Sequence, residues 1–177
     1  MPRIVQDREA LVAAFRQRGV DYLAPSDATT NLLLDDATLV ASAAAHPDPR
    51  IRQALIALFL LRPSLASVAQ SLVGHLAPVA VAELKAAYMA AVYLQRMWSV
   101  RLHLYQGTSE ELPDLFSPEL SLPDPGDGHG KFGLHALAEA ELARRSGNPL
   151  AEYEATMSLL FASLNRRRKE HELSLER

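Results

Sequence analysis

At 177 residues, with 49% hydrophobic and 22% charged side chains, the chain can bury one sizeable core and is too apolar to be wholly disordered. It has no cysteine, which excludes disulfide frameworks, thiolate zinc sites and thiol nucleophiles, and its formal net charge of −3 gives no global basic field for nucleic acid or acidic lipid. The apolar share leans on Ala and Leu with only 6% aromatic residues, so the composition predicts an all-α fold in a single domain over residues 1–177.

Arg3, Asp7, Arg8 and Glu9 leave no apolar run of the signal-peptide kind, and together with the lack of cysteine this predicts a cytoplasmic setting. A first helix is expected from the N-cap Asp7 to about Arg18, with Leu11, Val12 and Phe15 inward and Gly19 as its stop. Asp27 or Thr30 is expected to open a second helix that ends at Ala45, with a re-start at Asp36 as the alternative. In His46-Pro47-Asp48-Pro49, Asp48 suits a cap and Pro49 the first helical position. Every residue from Ala54 to Leu61 is apolar, which predicts the central helix of a bundle.

Pro63 and Ser64 open a shorter helix ending at Gly74, and Pro78 opens a long one running to Gln106. The uncharged stretch from Pro63 to Ala82 has the length of a membrane span, but Gln70, Gly74, His75 and Pro78 break it, so no membrane segment is expected. Helix starts at Pro49, Pro63 and Pro78 are nearly evenly spaced without sequence repetition, which favours a bundle over a solenoid.

Residues 108–130 differ in kind, with Pro113, Pro118, Pro123 and Pro125 among the acids Glu110, Glu111, Asp114, Glu119, Asp124 and Asp127. A long loop is expected there, mobile or held by a partner. Two helices follow, Lys131 to Ser146 and one capped by Asn148 with Pro149 behind it; the second turns Met157, Leu160, Phe161 and Leu164 inward. Fraying is expected after Lys169, leaving about 170–177 as a loose end, and the total is six or seven helices.

On a wheel of the long helix, Lys85, Gln95, Arg96, Ser99, His103 and Gln106 share one arc, which opens from Gln95 onward; Leu84, Ala91, Leu94, Trp98, Leu102 and Tyr105 fall outside it. Arg96 and His103 are two turns apart, about 10 Å in rise, close enough for both side chains to meet one phosphate. Arg96, its spacer, His103 and then Tyr105 resembles the spaced Arg and His motif of HEPN-domain ribonucleases, some of which carry a tyrosine two residues after the histidine. The resemblance implies a small, dimerising, metal-independent ribonuclease, with His103 moving the 2′-hydroxyl proton and Arg96 stabilising phosphate charge.

His135 and Glu139 suit one helix face for a metal pair and His129 lies nearby, but two ligands make no site, and neither metal nor cofactor is expected. The cluster Arg166 to Lys169 is expected to complement the dipole of a last helical turn. With no site that demands catalysis, the leading expectation is a non-catalytic helical interaction module or partner subunit. It would self-associate or meet another protein through the acidic loop or an amphipathic helix. The ribonuclease is the alternative, and only under it is nucleic acid a partner.

Overall fold

The computed structural model describes residues 2–25, 33–107 and 110–176, and among these it shows eight α-helices and no strand. They are α1 (Arg8–Gln17), α2 (Asp36–Ala45), α3 (Pro49–Leu61), α4 (Ala66–Leu72), α5 (Pro78–Met97), α6 (Ser99–Gln106), α7 (Lys131–Arg144) and α8 (Pro149–Leu175). Local chemistry sets most boundaries. Asp7 caps α1 by accepting from the amides of Glu9 and Ala10, Asp48 caps α3 by accepting from Arg50, and Asn148 caps α8 by accepting from Ala151. Gly19 takes up the positive φ that ends α1.

Three boundaries differ from the sequence reading. The second helix begins at Asp36 with Asp35 as its cap, while Asp27 and Thr30 lie outside the described residues. The long helix divides at Trp98 into α5 and α6, which raises the total from seven to eight. Trp98 leaves helical geometry with neither proline nor glycine nearby, although its N–H still bonds Leu94 and its carbonyl still accepts from Leu102. The last helix does not fray after Lys169 but continues to Leu175.

α5 is the hub, packed against α2, α3, α4 and α7. The apolar run of α3 meets it, with Ala54 to Leu60 all buried. Phe59 of α3 meets Tyr88 of α5 edge to face at 5.1 Å, a favoured aromatic geometry. No single described helix is long and apolar enough to cross a membrane; α3 passes such a test only together with 63–72, across a 115° bend.

A polar centre joins four of the helices. Glu83 of α5 pairs with Arg52 of α3 and Arg144 of α7 at 3.3 and 2.9 Å. The buried Glu141 of α7 holds Arg144 and Arg145 at 2.7 and 3.1 Å, and Arg145 reaches Glu152 of α8 at 2.8 Å. Each charge has an opposite partner, as buried ions require, so the cluster fixes the mutual orientation of α3, α5, α7 and α8.

Candidate functional site

The polar arc of the long helix is not an open face, because the acidic loop lies on its first half. Gln95 is buried; its amide donates to the carbonyl of Glu110 at 3.0 Å and its side-chain oxygen accepts from the Leu112 amide at 2.7 Å. Arg96 adds a bond to the Leu112 carbonyl at 2.9 Å and an ion pair with Glu111 at 2.8 Å. Lys85, also buried, pairs with Glu119 and sits 5.4 Å from the Phe116 ring centroid.

Two tyrosines complete the attachment. Tyr88 donates to the Pro113 carbonyl and Tyr93 to the Pro123 carbonyl, both at 2.8 Å. Burial first, then the negative charge of Asp114, pushes both hydroxyls up, so they stay protonated as donors. Leu112 and Phe116 enter the core beneath. The expectation of a mobile or partner-held loop is therefore corrected for residues 110–126: the chain's own α5 holds them. Prolines remove donors but leave carbonyls, and α5 presents the donors that use them.

Of the three residues in the Arg and His motif, Arg96 is engaged by the loop, His103 is exposed on α6 beyond the break at Trp98, and Tyr105 packs toward α8. No hydrogen bond joins Arg96 to His103. Tyr105 belongs instead to a different site.

That site is a groove of about 730 Å³ between the end of α5, α6, α7 and α8. Its apolar surface comes from Leu94, Met97 and Trp98, from Leu134, and from Leu150, Met157 and Phe161. The aromatic rings are ordered: Phe161 meets Trp98 edge to face at 5.6 Å and lies 6.1 Å from Tyr105. The Arg101 guanidinium stands 4.0 Å over the Phe161 ring, a cation–π contact. Lys131, His135, Glu154, Ser158 and Asn165 also line it. Apart from that ring contact, the side chains of Arg101, Lys131, His135, Glu154 and Asn165 have no hydrogen bond or ion pair among the described residues, whereas the Ser158 hydroxyl donates to the Glu154 carbonyl.

Trp98, expected on the inner side of one long helix, is 37% exposed at the groove, and Val100 and Leu104 on the outer side of α6 are 77% and 68% exposed. The break at Trp98 is the feature the wheel lacked. A straight helix would carry Trp98 and Tyr105 along a single line into the core. Arg101 and Lys131 carried no sequence signal, because each belongs to the groove only once α6, α7 and α8 are assembled.

Among the described residues no group of three or more His, Cys, Asp or Glu is placed to hold a metal. His129 sits in the turn before α7 with a positive φ, and His135 lines the groove. The basic cluster does not end a helix, since α8 runs on past it. Arg166 and Arg167 bind Asp21, each at 3.1 Å, Arg167 also donates to the Gly19 carbonyl, and Arg168 pairs with Glu172. Their dipole role is replaced by a structural one, fastening the connector after α1 to α8. No protein-family model, curated protein or solved structure matches this chain.

Proposed function

We propose that this chain is a non-catalytic helical interaction module whose docking surface is the groove between α6, α7 and α8. Its ligand is one amphipathic helix with acidic residues beside an apolar stripe. The observation that carries the reading is an apolar trough with an exposed tryptophan, bordered by Arg101 and Lys131, neither of which has an acidic partner among the described residues. Free cations at the rim of an aromatic groove match a helix with carboxylates flanking its leucines, the helix-in-groove mode of recognition. Trp, Tyr and Arg are also the side chains that most often dominate binding energy at interfaces.

The test is calorimetric. A designed helical peptide with leucines at i, i+3 and i+7 and flanking glutamates is titrated into the protein and into Trp98→Ala. Binding weakened in the variant by at least about 2 kcal/mol supports the reading. Equal heats for the two proteins, or no heat with either, contradict it.

A further inference from the structure

We infer that the helix received by the groove is the projecting end of α8 from a second copy of this chain, exchanged reciprocally. The inference rests on the docking reading above and names its partner. α8 has 27 residues, but its burial stops early: Leu164 is its last buried side chain, and every residue from Arg168 to Glu176 is exposed. Two turns of helix standing in water have little stability of their own, and here the single Arg168–Glu172 pair at 3.1 Å spans them. This overhang carries Leu175, 73% exposed, and Glu172 on the side that continues the groove wall, with Glu176 at its edge; Leu173 lies on the far side. Its Leu175 suits the apolar lining of the trough, and its acids suit Arg101 and Lys131, which have no acidic partner among the described residues.

The geometry closes. α8 forms one wall of the groove through Met157, Phe161 and Asn165, and the same helical face continues to Arg168, Glu172 and Leu175. Two α8 helices packed antiparallel about an axis near Arg166 place Leu175 of one copy beside Met157 of the other, each about 13 Å from the axis. Arg166 and Arg167 project away from that face onto Asp21, and Arg168, the arginine on the face beside the axis, is neutralised by Glu172. The same patch serves both copies, so the contact is isologous and the assembly closes as a dimer.

Sedimentation velocity on the full chain tests this. The wild type is expected to sediment as a dimer that dissociates on dilution. Leu175→Glu is expected to be monomeric, with an unchanged melting temperature because the position is exposed. Reversing the groove (Arg101→Glu, Lys131→Glu) or the arm (Glu172→Arg, Glu176→Arg) is expected to give monomers that form a heterodimer only when mixed. A wild type that stays monomeric from micromolar to millimolar concentration, or a dimer indifferent to all these changes, overturns the inference. If that monomer still binds the designed acidic peptide, this inference alone falls; if it binds neither, the docking reading falls with it.

Discussion

At Gly130 and Gly133 single atoms decide how α7 meets α5. Gly130 has φ +85°, and a Cβ there would run into the Tyr93 carbonyl; a Cβ on Gly133 would overlap the Tyr93 ring itself. Since Tyr93 is fully buried and tied to Pro123, the ring has nowhere to move. Gly133→Ala is therefore expected to destabilise the fold by about 1–3 kcal/mol in chemical denaturation. A second residue-scale effect is set by pH. Burial pushes the Asp21 carboxyl up, but bonds from Ser163, Arg167 and Arg166 outweigh it and hold the group below its ordinary 3.8. A carboxyl depressed by folding contributes stability above its unfolded value and loses that contribution as pH falls through the folded one. Asp21→Asn should thus lower the melting temperature at neutral pH and shrink the difference from wild type below about pH 4. The caps were legible because Asp7, Asp48 and Asn148 act on amides two or three residues away. Gly133 carried no such signal, because its constraint comes from a ring forty residues upstream in the chain.

Among the elements, α3 follows from composition alone and the acidic segment does not. Eight consecutive apolar residues leave α3 no face for water, and Leu58→Ala is expected to cost about 2–5 kcal/mol. Residues 110–126 have the composition of a mobile loop, yet their carbonyls and two apolar side chains meet Gln95, Arg96, Tyr88 and Tyr93. Sequence periodicity describes a helix's own faces; it cannot show that a distant loop will cover one of them. Limited proteolysis should leave 110–126 intact in the folded wild type, and Gln95→Ala, which leaves the Leu112 amide without its partner, should open it to cleavage. Arg96→Ala should loosen the same segment, whereas His103→Ala, removing an exposed side chain without bonds, should leave the melting temperature within measurement error.

For the whole molecule, one chain of dependence runs from packing to function. The hub α5 fixes α3 and α7 through the core and the Glu83–Arg144–Glu141 network. α8 is then set by Arg145–Glu152 and by the arginines on Asp21. Only with those positions fixed do Trp98, Arg101, Lys131 and Phe161 border one groove. That groove assembles residues from four helices scattered along the sequence, and for that reason it was invisible as a motif while the helices themselves were not. The chain's single tryptophan lies in it, so Trp98 emission reports on this surface and no other. Titrating the designed acidic amphipathic helix while following that emission should give a blue shift and protection from iodide quenching, both saturating and both abolished by Arg101→Glu with Lys131→Glu. A peptide that binds by calorimetry yet leaves Trp98 emission and quenching unchanged would place the docking surface elsewhere and contradict the account.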